Sequence, residues 1–216
     1  LEEDKIMVRF GIQLATDFES KFKKEVDKEI SKRIKASINI ITESIEIALQ
    51  TLVKIKLEGA PEVLSIAGGE LRYQFGLVDG SSRIQNIIDM WADSIEVKYV
   101  TTAGKFGGIS ISMTDSDYSK ALSMSEAEFI TEDGTPLEWL RWLLLEGDTR
   151  IVNNYVFQSG RRGRAGGGIM VSRRNASWGV PAQFAGTEND NFATRALDGL
   201  NDDIDVIVRR EITKVI

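Results

Sequence analysis

Neither cysteine nor histidine occurs anywhere in the chain. The first absence removes disulfides, thiolate metal ligands and cysteine nucleophiles. The second removes imidazole metal sites and every Ser–His or Cys–His catalytic pair. Catalysis, if any, would rest on carboxylates, lysine, tyrosine, serine or a carboxylate-bound cation. No run of about 18 uncharged apolar residues is present, so no membrane partner is expected. The opening LEEDKIMV is acidic and lacks the basic-then-apolar order of a secretory signal; Met7 is a candidate start. What is present is 216 residues at 42% hydrophobic content, enough to bury a core.

The net charge of −6 argues against coating of DNA as a main role, since phosphate contacts need a basic footprint. The charge is unevenly spread. Arg161, Arg162, Arg164, Arg173 and Arg174 fall in a stretch without an acid. Glu188, Asp190, Asp198, Asp202, Asp203 and Asp205 follow, opposed only by Arg195. A basic loop beside an acidic helix is complementary between neighbouring copies; two separately solvated surfaces are the plain alternative.

From Asp17 to Glu58 there is neither proline nor glycine, and Ile34, Ile38, Ile41, Ile45, Ala48, Leu52 and Ile55 recur at spacings of four and three. One long helix over 17–58 follows, a rod of roughly 60 Å. It must project, bend around the fold or pack on another subunit, and it stops at Gly59 before Pro61. Alternation through Leu71, Tyr73, Phe75 and Leu77 predicts a strand, residues 83–94 a helix, and Ile95, Val97 and Tyr99 a second strand. FGGISISM predicts a further strand, and a short helix is expected around Ala121–Phe129. Thr135-Pro136 predicts a helix start, with Thr135 as N-cap and Leu137, Trp139, Leu140, Trp142, Leu143, Leu144 and Leu145 making the helix apolar almost all round. Such a helix is buried or lies at a subunit interface. RIVNNYVF and GGIMVS predict a hairpin with the Gly/Arg tract at its tip. WGVP forms a corner, and a last helix capped at or beside Thr187 carries Phe192, Ala196, Leu197, Leu200, Ile204, Ile207, Val208 and Ile212. The expected class is α+β, one mixed or antiparallel sheet flanked by long N- and C-terminal helices, in a single domain over 1–216.

Among chemical candidates, Asp79 with Glu96-Val97-Lys98 matches the carboxylates and lysine of a Mg²⁺-dependent nuclease. Glu-x-Lys is also common on any half-exposed strand. GRRGRAGGG lacks the Lys-Ser/Thr ending of a phosphate loop and is followed by a strand where that motif needs a helix. An arginine-bearing hairpin that orders on a partner fits it better. Trp139, Trp142 and Trp178 read as core or interface anchors. The acidic run TDSDYS lacks the glycine and downstream glutamate of a Ca²⁺ loop.

The order PLEWLRWLLLEGD, a strand, GRAGGGIMV, WGVPAQFAGT and DNFATRAL resembles the neck or tail-completion proteins of tailed bacteriophages. The likeness covers roughly Leu71 to Leu200 and is strongest from Pro136 onward. It implies a non-enzymatic α+β virion subunit at the head–tail junction, forming a ring, commonly six- or twelve-fold, that joins the portal or its adaptor to the tail around the DNA channel. The implied partners are copies of itself, the portal or adaptor and tail proteins, with passing contact to DNA. The implied location is the virion, and the host cytoplasm during assembly. No cofactor and no catalytic residue come with it. The expected contact residues are Trp139, Trp142, Arg161, Arg162, Arg164, Arg173, Arg174 and Trp178. Another ring-forming virion part, a tail terminator or baseplate component, stays open beside it, as does the nuclease using Asp79, Glu96 and Lys98.

Overall fold

The computed structural model describes residues 18–101, 107–114, 118–131 and 134–215. Met7, Asp17 and the centre of the TDSDYS run lie outside them. The chain begins with α1 (Phe18–Ala36) and α2 (Ile38–Glu58), two helices where one was expected. The division is a single residue: Ser37 sits at φ −111° and ψ 9°, off the helical region. Its N–H still reaches Arg33 O at 3.1 Å, and its carbonyl accepts from Ile41 at 3.0 Å, so the ladder passes through a local unwinding.

The buried row of α2 is Ile41, Ile45, Leu49, Val53 and Leu57. It packs against α5 (Gly80–Asp93), β1 (Ile95–Val100) and, farther along, α8 (Phe192–Leu197) and α9 (Asn201–Thr213). The expected stripe is therefore only half right. Ile41 and Ile45 are inside, whereas Ile55 faces out. The helix carries more than one apolar row, and pattern alone does not say which row is covered.

Pro61 does not merely follow a stop; it opens α3 (Pro61–Gly68) at its first position, where its missing N–H costs nothing. The expected strand at Leu71–Leu77 is instead α4 (Glu70–Phe75). Leu71 and Phe75 lie one helical turn apart as well as on one strand face, so both periods fit, and tertiary bonds decide. Ser65 Oγ accepts from Leu71 N at 2.9 Å. Arg72 caps the far end, donating to Leu77 O at 3.1 Å and Val78 O at 2.7 Å, after Gly76 turns left-handed at φ 70°.

Helix α5 and strand β1 form where the sequence placed them. β1 pairs antiparallel with β2 (Gly108–Met113), Val97 opposite Ile111, and Glu46 of α2 accepts the Val97 N–H at 3.1 Å. The region that follows holds α6 (Ser119–Ser123), one short 3₁₀ turn, and β3 (Phe129–Ile130), which pairs with β4 (Pro136–Leu137). Pro136 thus starts a two-residue strand and not a helix, a position that also tolerates a missing donor. The helix α7 begins later, at Trp139, and runs to Leu144. Trp139, Leu140, Leu143 and Leu144 have no exposed surface. At about 1.5–3 kcal/mol per fully buried large side chain, α7 contributes roughly 6–12 kcal/mol of burial before ordering entropy is subtracted.

β5 (Arg150–Ser159) and β6 (Gly168–Gly179) form the expected hairpin. The α+β class holds, and among the described residues all pairing is antiparallel and the one expected sheet is three separate two-stranded ribbons. The last helix is also divided. α8 ends at Leu197, Gly199 turns left-handed at φ 72°, and α9 starts at Asn201. Its cap is Asn191, not Thr187.

Candidate functional site

The corner expected at WGVPAQFAGT is built around Asn191, a wholly buried side chain. Its Oδ1 accepts from Ala193 N at 3.0 Å and Thr194 N at 3.1 Å, capping α8. Thr194 Oγ1 accepts in return from Asn191 N at 2.9 Å, closing a capping box. Asn191 Nδ2 donates to Thr187 O at 2.9 Å, to Leu144 O at 3.2 Å and to the Tyr118 hydroxyl at 3.1 Å. One amide therefore ties the end of α7, the AGT turn, α8 and the α6 entrance together. Gly186 makes this possible: a Cβ there would run into Leu143 O and Asn191 Cβ. Asn191-x-x-Thr194 is a capping signal visible in the sequence, though the expected cap was placed at Thr187.

The three expected tryptophan anchors turn inward. Trp139 is fully buried and donates from Nε1 to Glu126 O at 2.9 Å, so it takes no part in any surface contact of this fold. Trp142 and Trp178 are half-buried and meet across Phe75, at ring centroid distances of 5.9 and 5.7 Å. They join α7 and β6 to α4. Arg83 holds the neighbouring segment, donating to Asp79 Oδ1 at 2.7 Å and to the carbonyls of Ser125 and Glu128 at 2.9 and 2.8 Å. The Arg83 hydrogen bond holds the Asp79 carboxyl below the usual carboxylate range. Hydrogen bonds from Asn86 and Ser125 do the same for Glu126.

The proposed metal triad is not brought together. Asp79 precedes α5 and Glu96 follows it, so the 14 residues of that helix separate them by about 21 Å. Lys98 pairs with Glu96 at 2.6 Å and Asp79 with Arg83. Among the described residues no cluster of three acids could hold a metal ion. A groove of about 440 Å³ runs beside Ile55, Pro61, Phe192 and Arg195. Its charged groups are all paired: Arg195 bridges the buried Glu62 and the exposed Asp190, both at 2.6 Å, and Lys56 meets Asp203 at 3.0 Å.

The basic hairpin is not the free arm that was expected. At its tip Arg164 folds back, donating from Nε to Gly76 O at 3.2 Å and lying 4.3 Å from the Phe129 ring centroid. Gly167, at φ 63°, rests on the Tyr73 ring so closely that a Cβ would strike it. Arg161 and Arg162 remain exposed at this docked tip. Arg173 and Arg174 lie elsewhere, on a bulge halfway along the ribbon. Asn153 pairs with Ser177 and Tyr155 with Ser172, so β5 places one residue where β6 places four.

α2 has a second apolar face. Ile40, Ile47 and Ile55, spaced about two turns apart, are 63%, 58% and 61% exposed on the side away from the buried row. No helix of the described residues is long and apolar enough to cross a membrane. No protein-family model, curated protein or solved structure matches this chain.

Proposed function

We propose that this chain is a non-catalytic structural subunit of a tailed-bacteriophage particle, assembling as a ring at the head–tail junction between the portal or its adaptor and the tail. The observation that carries the assembly role is the outer face of α2. A helix buried on one side and lined by Ile40, Ile47 and Ile55 on the other leaves large apolar side chains in water along one row. Covering the exposed part of three isoleucines is worth about 3–5 kcal/mol, a gain that no other described residue of this chain supplies and that a neighbouring subunit would. The order of motifs from Pro136 to Leu197 supports the placement in the neck. The corner that these motifs form is structural in its chemistry: every polar group of Asn191 is spent on backbone and hydroxyl partners. The exposed Arg161, Arg162, Arg173 and Arg174 would meet neighbouring subunits, with passing contact to DNA.

Immunogold labelling of purified particles tests the reading. Gold at the junction of head and tail is the expected result. Label along the tail or at the baseplate would move the subunit to another ring-forming part, and a chain confined to cell extracts would end the proposal.

A further inference from the structure

The bulge on β6 presents Arg173 and Arg174 through a defined backbone. Asn154 and Asn175 face each other across it in left-handed conformations, φ 61° and 62°, and Asn175 N donates to Asn154 Oδ1 at 3.2 Å. Asparagine is a residue type that tolerates this region, so the bulge is closed by its own chemistry and not by the hairpin tip. Beside it, at the Tyr155–Ser172 pair, the Tyr155 ring is exposed, a side chain enriched where subunits meet. Among the described residues neither arginine of the bulge has an acidic partner.

The opposite imbalance occurs at the turn between α8 and α9. Asp190, Asp203 and Asp205 are held by Arg195, Lys56 and Arg209. Asp198 and Asp202, exposed on either side of Gly199, have no cation among the described residues. Two presented arginines thus lack acids, and two acids one helical turn apart in sequence lack cations.

We propose that the β6 bulge docks against the Asp198–Asp202 corner of a second copy, in a head-to-tail contact. This rests on the assembly role proposed above and names the surfaces that carry it. Each copy offers one bulge and one corner on different parts of its surface, so the contact is heterologous and propagates into a closed ring or an open filament according to its rotation. A second copy is favoured over DNA as the occupant because the chain as a whole is acidic, with a net charge of −6.

Sedimentation velocity on the full chain tests the contact, using wild type, an Arg173→Glu/Arg174→Glu variant and an Asp198→Lys/Asp202→Lys variant. The wild type is expected to self-associate, less so as salt rises. Each reversed variant should associate roughly tenfold or more weakly, and an equal mixture of the two should recover mixed oligomers. A wild type that stays monomeric at every concentration overturns the proposal. So does an arginine variant that associates normally, or a mixture that recovers nothing. If reversal abolishes binding to a labelled duplex DNA while leaving association intact, the bulge belongs to DNA and the proposal fails. Immunogold on particles keeps the two claims apart: a chain present at the neck with unaffected variants sinks the contact alone, and a reversal-sensitive oligomer absent from particles sinks the neck role alone.

Discussion

Asn191→Ala should be among the most damaging single substitutions in the chain. The alanine leaves Ala193 N and Thr194 N uncapped and removes the donor to Leu144 O and Thr187 O. Loss of a good N-cap costs about 0.5–2 kcal/mol. Thr187 O keeps the Asp190 N–H at 3.2 Å, so the buried carbonyl that loses its donor is Leu144 O, at about 1–3 kcal/mol. A total of about 2–5 kcal/mol follows, a large share of the 5–15 kcal/mol typical of a domain. Asn191→Asp separates the two halves of this reasoning. It keeps the acceptor that caps α8 but sets a carboxylate oxygen against the carbonyls of Leu144 and Thr187, so it should do no better than alanine. Urea unfolding followed by tryptophan fluorescence reads both, since Trp91 and Trp139 are buried. A loss under about 1 kcal/mol for Asn191→Ala would refute the claim that this amide ties four elements together.

Gly186→Ala should destabilise by more than 2 kcal/mol, because the new Cβ meets backbone on the α7 side and the turn must open; thermal melts measure it. Trp139→Phe loses the hydrogen bond to Glu126 O and leaves a small void, and a loss of about 1–3 kcal/mol in urea unfolding is expected. Asp79 is held below its ordinary value by Arg83, so its contribution is present above about pH 4 and is lost as pH falls through the depressed folded value. Asp79→Asn should therefore be less stable than wild type near pH 6, by under about 1 kcal/mol given its exposure, with the difference shrinking as pH falls below about 4. Ile47→Glu should leave the unfolding free energy of the monomer within about 0.5 kcal/mol of wild type while abolishing incorporation into particles.

The sequence revealed the elements whose pattern admits a single period. α5 is one, with Ile84, Ile87, Ile88 and Trp91 on one helical face, and the β5–β6 hairpin is another. It misled where two solutions share the same residues. Leu71 and Phe75 satisfy a strand and a helix equally, and the choice fell to hydrogen bonds of Ser65, outside the alternation, and of Arg72, on its polar side. Thr135-Pro136 satisfies both a helix start and the first residues of an edge strand, and pairing with Phe129–Ile130 decided between them. On α2 the two apolar rows are alike in sequence character; only packing distinguishes the core from the surface left exposed. The arginines were identified from composition, but not their placement. The tip holds Arg164 against its own body, and the presented pair stands on a bulge whose signal was the asparagines at 154 and 175.

Quantitative mass spectrometry of purified particles tests the central claim most directly, by counting copies of this chain against the portal. The account predicts a fixed ratio near that of one ring, six or twelve copies per particle. Absence of the chain from particles, or a count in the hundreds as for a shell or tail-tube protein, would contradict it.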